Sequence, residues 1–526
     1  MNLHSLLHMQ KNNRFLYAVI LIFFLFITSA SSGISASQSD ELIIAKPFGP
    51  SIKGPDPALG SNGWYTSEAG VTETLFVLDP EMNLKPWLAA EYKNISPLIW
   101  EIRLKDGILF HDKTPVNTAA VKWCIERIID KGSSAFNIRT QKMLDIRTIK
   151  IKDSRTLIFE TNRPNAAFLY YLTSPGTAII STGSSRKNVF GTGPFVLEKV
   201  IPKEKMTVSR FDDYWGSRAK LSRVQLNIIS NPATRMLAFE AGQLDIATNF
   251  PENDVKRLSS RKDIQIHSKP TNRLCFLFTR VADGPLKDLK MRMALNYAIN
   301  RQELIDTILA GVGGHAGASI FPETLPWCNR DLQPYPYDQD MAKSLLKEAG
   351  AVDSNKDGIL EIDGKPLVLN MWTYEGRASL KPVLELIQAQ LNRVGIQTNL
   401  KVTKTGSPIN QAMRRGNVNL NLQMWNSAPE GDPDYFISNV FKSNAGSNFM
   451  GFKNKELDEL TEKGKTTFDP AERKIIYDRI QEIIYNESPV IVLFYKTMIS
   501  AVYDHVGGFR IHPAEKYLLT PDLYHK

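Results

Sequence analysis

An α/β fold built from more than one domain follows from three properties of this 526-residue chain. Strand-like and helix-like segments alternate along its whole length. The chain outgrows the roughly 250–300 residues over which one core usually keeps growing. No internal repeat and no long low-complexity linker separates independent units. Two lobes woven together by the same chain account for that uninterrupted mixture.

The first segment stands apart from the fold. Residues 15–27 are an unbroken apolar run behind Lys11 and Arg14, followed by the small residues Thr28-Ser29-Ala30 and Ile34-Ser35-Ala36. A membrane-crossing helix needs about 20 residues, so this run is short for a span and fits a cleaved secretory signal. Residues 1–36 are therefore assigned as a signal peptide and the product is placed in the periplasm. No cysteine lies near the cleavage site, so no lipid anchor on an N-terminal cysteine is expected.

Beyond the signal, residues 41–45, 99–104 and 156–160 read as strands. In the second, Trp100, Ile102 and Leu104 alternate with Glu101 and Arg103, the period of a sheet with one covered face. Asp106-Gly107 supplies turn chemistry after it. Residues 118–129 carry Val121, Cys124, Ile125 and Ile128 on a helical stripe. Further helices are expected at 232–242, 286–310, 338–349, 377–394, 455–465 and 470–485.

Two segments imitate ligand-binding motifs. Gly191-Thr192-Gly193-Pro194-Phe195 leads into a strand, whereas a phosphate-cradling loop leads into a helix, so it reads as a structural turn. Asp353-Ser354-Asn355-Lys356-Asp357-Gly358 opens like a calcium loop, but its twelfth position is Gly364 where a bidentate Glu is required. A polar hairpin is the expectation there.

The net charge is +9, and loss of the signal with its two basic residues leaves +7. Basic residues are scattered among acids, so no nucleic-acid groove is expected. Cys124, Cys275 and Cys328 match no zinc or redox spacing. Export permits one disulfide, which the spacing does not choose.

Several segments, taken in order, resemble the extracytoplasmic solute-binding proteins, family 5, of peptide and nickel ABC importers. They are Trp100-Glu101-Ile102-Arg103-Leu104-Lys105-Asp106-Gly107-Ile108-Leu109-Phe110, Gly191 to Phe195, Tyr214-Trp215-Gly216, the stretch from Thr234 to Asp245, and Arg292 to Arg301. The resemblance implies a two-lobed periplasmic-binding-protein fold (class II, cluster C) with an extra subdomain inserted in lobe one. It puts lobe one at 37–270 with the insert at about 61–179, lobe two at 271–494, and a return to lobe one at 495–526. The crossings would be Lys269-Pro270-Thr271-Asn272 and Leu493-Phe494-Tyr495.

Ligand candidates follow from residue chemistry and from that resemblance. Trp425 ends a strand-like segment and precedes Pro429, Glu430, Gly431, Asp432 and Pro433, which prevent regular structure. An aromatic platform beside Glu430 and Asp432 would suit a cationic or amine-bearing solute. Trp64 and Tyr65 sit in a glycine-rich stretch, read as a loop, that faces the cleft in the family. Arg139 and Arg273 are candidate carboxylate partners.

Peptide-binding relatives place an aspartate just after the cleft Trp; here Asn426, Ser427 and Ala428 follow. Nickel-chelate relatives offer an arginine near the position of Gly176 and a histidine within 442–449, and this chain has neither. His315 alone does not specify a metal site, so no metal ligand is assigned.

No nucleophile–base–orienter set and no H-E-x-x-H motif occurs, so no enzyme is expected. The resemblance implies a monomeric binding protein that captures a short peptide or related small amphipathic solute and delivers it to an inner-membrane permease with its ATPase. A nickel or other metal–organic chelate is the alternative ligand. No cofactor is required; a metal would enter only as part of a transported chelate. A chaperone or a small-molecule enzyme is the alternative from another class.

Overall fold

The alternation of Leu42 and Ile44 with Glu41 and Ile43 builds an opening strand, β1 (Glu41–Lys46), around which one half of a large sheet assembles. The computed structural model describes residues 41–50, 54–185 and 187–526, and residues 41–526 form one compact unit. The signal assigned at 1–36 lies outside the described residues.

Four strands, β2 (Ala89–Ser96), β3 (Ile99–Leu104), β4 (Ile146–Ile151) and β5 (Thr156–Thr161), form a separate antiparallel sheet in the order β2-β3-β5-β4. In β3 the alternation read from sequence holds: Trp100, Ile102 and Leu104 are buried. They pack in one core with Val121, Cys124 and Ile125 of the helix α2 (Thr118–Ile129), which follows the short α1 (Asn62–Glu68) in the chain. The Asn117 side chain accepts from the Ala120 amide and caps α2.

The large sheet continues with β6 (Phe195–Ile201), β7 (Lys205–Arg210), β8 (Arg223–Ile228), β9 (Ile246–Thr248), β10 (Ile264–Thr279), β11 (Gly314–Ala316), β12 (Val368–Tyr374), β13 (Gln397–Thr403), β14 (Leu420–Asn426) and β15 (Val490–Tyr503). Its order is β13-β12-β14-β10-β15-β9-β1-β8-β7-β6, with β11 joined to β15. The long strands β10 and β15 run antiparallel through both halves, and their register shifts between Pro270 and Leu274. Proline has no N–H to give to a ladder, which accounts for the interruption there.

On either side of this pair the strands are parallel: β1 with β8 and β9, and β12 with β13 and β14. Separate apolar cores lie on each half.

Two expectations need correction. The helix read at 286–310 is two, Leu289–Ala298 and Arg301–Ile308, because Ile299 is extended and the Asn300 side chain caps the second by accepting from Glu303 N–H. The glycine-rich stretch around Trp64 is the helix α1 instead of a loop. Gly63 there permits close packing: a Cβ would lie 2.4 Å from the Pro175 carbonyl oxygen. The turn at Gly191 and Gly193 has the same cause, since a Cβ would sit 2.0 Å from Val71 O and 2.1 Å from Gly70 O respectively. All three cysteines are buried and free.

At the calcium-like loop, Asp353 Oδ2 accepts from Gly358 N–H and Glu361 Oε2 accepts from the amide and hydroxyl of Ser354. The strand pair Glu361–Ile362 and Lys365–Pro366 closes the hairpin behind it. Carboxylate oxygens of Asp353, Asp357 and Glu361 lie within 4.8 Å of one another.

Candidate ligand-binding cleft

In open α/β sheets ligands settle beyond the carboxyl ends of parallel strands. Here the two parallel halves aim those ends at one cavity of about 710 Å³, within the usual range of about 300–1,000 Å³ for small-molecule sites. Lys46 ends β1, Thr248 ends β9, Trp425 and Asn426 end β14, and Arg377 follows β12. Segments near residues 57–68, 137–143, 174–176, 429–440 and 509–518 complete the walls.

Six of the seven residues proposed from sequence line this cavity: Trp64, Tyr65, Arg139, Arg273, Trp425 and Glu430. Trp425 is half-buried, held edge-on against Phe276, Phe278 and Phe436, and its Nε1–H donates to Gln423 Oε1 at 3.1 Å. It presents a fixed aromatic face. Trp64 donates its Nε1–H to Glu515 O at 3.0 Å. Tyr65 lies beneath Lys46 Nζ, 5.1 Å from its ring centre. Arg139 stacks over Tyr435 at 4.3 Å.

Asp432 is the correction. It is fully buried behind the cleft, where its carboxylate accepts from Arg473 Nη1 at 2.7 Å and Nη2 at 3.1 Å. Sequence showed an acidic turn; its partner lies 41 residues further on. Glu430 is also buried, at 3% exposure, but it does reach the cavity, and its Oε2 has no hydrogen-bond partner among the described residues.

Sequence reasoning missed the most basic part of the lining. Arg377, Arg510, Lys46 and Lys516 join Arg139 and Arg273, against the carboxylates of Glu68, Glu430 and Glu515. Lys46 pairs with Glu68, and Arg273 donates to both oxygens of Glu515 at 2.7 and 2.6 Å. Burial pushes Glu515 up, but Arg273 foremost, with Arg377 and Lys496, outweighs it and holds that carboxylate below its ordinary range.

Four cations then face one carboxylate. Arg377 is half-buried, and burial followed by repulsion from Arg273 pulls its guanidinium down to about 10. It forms no ion pair among the described residues; Tyr374 hydrogen-bonds it, and Glu515, already paired with Arg273, attracts it more weakly than burial and Arg273 oppose its charge. The only signal for Arg377 was its place in Glu375-Gly376-Arg377, just past a strand end. Nothing in sequence pointed to Lys516.

The profile of the bacterial extracellular solute-binding proteins, family 5 Middle, matches residues 83–448, well over half the chain. The chain belongs to this family. Family 5 proteins are the solute-binding components of ABC importers, and this chain is one of them.

It is 29% identical over 456 residues to the glutathione-binding protein GsiB of Escherichia coli O1:K1, covering 84% of this chain and 86% of that one. The nickel ABC transporter protein of Bacillus halodurans superposes with a TM-score of 0.78 at 26% identity, covering 92% of this chain and 99% of the other. NikA of Brucella suis, solved with Fe(III)-EDTA, gives 0.82 at 22% identity over 92% and 100%. The two-lobed class read from sequence is therefore the fold of this protein. No helix among the described residues is long and apolar enough to cross a membrane.

Proposed function

We propose that this chain binds a small carboxylate-bearing solute of the short-peptide class between its lobes and presents it to an inner-membrane permease. The observation that carries this reading is Arg377: a half-buried guanidinium in the cleft, repelled by Arg273 and with no ion pair, since the carboxylate that attracts it, Glu515, is taken by Arg273. A planar fork of donors matches a carboxylate in two-point contact. The cationic excess of the lining moves the expected ligand away from the cationic solute suggested by Glu430 and Asp432. Glutathione, the ligand for which the GsiB relative is named, carries two carboxylates and one ammonium and fits that balance.

A metal–organic chelate is the second reading. The nickel transporter of Bacillus halodurans favours it, since a chelator's carboxylates would meet the same cations. The metal would arrive as cargo: His315 is not in the cavity lining, and both ring nitrogens of His512 are hydrogen-bonded internally.

The lobes are proposed at 37–270 with 495–526 and at 271–494, with residues 1–36 removed on export and a monomer in the periplasm. Binding without chemistry is proposed, driven by closure. Native mass spectrometry of protein recovered from its own cell envelope separates the readings by ligand mass and metal content. Trp425→Ala is expected to weaken that ligand about tenfold or more, as an aromatic contact of about 1–2 kcal/mol is lost. Unchanged affinity on calorimetric titration removes Trp425 from the site.

A further inference from the structure

The chain makes its last visit to the cleft through residues 509–518, and there it buries an ammonium group. Lys516 is 3% exposed yet lines the cavity. Its Nζ stands 5.4 Å from the centre of the Trp64 ring and donates one long hydrogen bond, 3.3 Å, to the carbonyl of Thr173. An ammonium has three donors, and Lys516 has no ion-pair partner among the described residues. Glu430 acts on it from a distance, not as a contact.

The backbone holds this arrangement in an unusual way. Glu515 and Tyr517, on either side, both lie in the left-handed region at φ +58° and +59°, which disfavours residues with a Cβ. Glu515 is fixed there by Arg273 and by the Trp64 N–H. Lys516 is thus directed inward by neighbours that are themselves anchored.

A charge removed from water without a counter-ion is unfavourable unless something supplies one. We propose that Lys516 is a second anion-binding point of the cleft, distinct from Arg377, so that the solute carries two separate negative groups. This deepens the carboxylate reading above and rests on it. Arg377 comes from lobe two and Lys516 from the returning C-terminal segment, so only a dianionic solute satisfies both and gains most from closure. Burial pulling the lysine down to about 8 agrees with a cation in need of a partner.

The test is calorimetric titration of the mature protein with glutathione, its two single-carboxamide derivatives and trialanine. The wild type is expected to bind glutathione at least about tenfold more tightly than either monoamide or trialanine, as loss of a charge-assisted hydrogen bond implies. In Lys516→Gln, one monoamide should bind as tightly as glutathione while the other remains discriminated. Lys516→Arg should restore discrimination.

Equal binding of trialanine and glutathione by the wild type overturns the dianion inference and leaves the peptide reading standing. Failure of every probe to bind overturns both. A uniform loss across all ligands in Lys516→Gln, with a lowered melting temperature, assigns the lysine to structure and also overturns the inference.

Discussion

A buried ion pair holds a structure only while both partners are present, and Asp432 with Arg473 meets that condition. Burial alone would pull the Arg473 guanidinium down, but Asp432 overrides it and raises it. Arg473 also donates its Nε–H to the carbonyl of Gly464 and lies over the rings of Trp327 and Tyr477. Removing one partner strands the other: Asp432→Ala should cost about 3–5 kcal/mol. Denaturant midpoints measure that loss, while the ranking of ligands by the folded protein should not change.

Histidine sets the acid limit at the same scale. His111 accepts from the Gly191 amide through Nδ1 and faces the Gly193 carbonyl through Nε2, which fixes the neutral tautomer. His512 does the same between the Ala514 amide and the carbonyls of Leu78 and Asp79. Burial lowers each to about 4 from 6.5; Lys113 assists at His111, and Lys516 and Lys269 at His512, while Asp112 opposes at His111.

Between those values the unfolded chain binds more protons, so stability rises with pH and is lost as pH falls from about 6.5 to about 4. Each histidine contributes up to about 3 kcal/mol. Melting temperatures at pH 7 and pH 4.5 should differ accordingly, and His512→Gln should flatten the slope. A slope unchanged in that variant refutes the assignment.

At the scale of elements, close backbone approaches decide more than loop composition suggests. Gly193 donates to Val71 O at 3.2 Å, and the strand β6 begins with Phe195 donating to Gly70 O. Gly193→Ala must push these segments apart, an overpacking effect of about 1–3 kcal/mol that a thermal melt detects. The sequence disclosed a turn at Gly191–Gly193 but not this contact, because its partner segment lies over a hundred residues earlier. It disclosed α2 nearly whole, since the helical stripe and the Asn117 cap are both local. It misread α1, whose glycine marks packing against Pro175.

At the scale of the molecule, contacts between segments far apart in sequence hold the structure together. Tyr171 donates its hydroxyl to Asp434 Oδ2, 263 residues further on, at 2.5 Å, and both are buried. In the proposed division this bond joins the insert to lobe two, and opening of the proposed cleft would break it. Tyr171→Phe should therefore weaken ligand binding by about 10–100-fold, the worth of a hydrogen bond to a charge, mainly through faster dissociation. Stopped-flow traces with equal dissociation rates would show that the bond is not lost on opening. Closure itself should shrink the radius of gyration on ligand addition, read by small-angle scattering.

The sequence by itself determined the α/β class, the strand β3, the helix α2 and the aromatic wall of Trp64, Tyr65 and Trp425. Each rests on periodicity, turn residues or composition within a short stretch. Tertiary structure alone decided the electrostatics of the cleft: Arg473 took Asp432 out of it, Glu515 occupied Arg273, and Arg377 and Lys516 entered it from strand ends and a strained tail. Charge balance in a cavity depends on which groups neutralise one another across space, and no spacing along the chain records that.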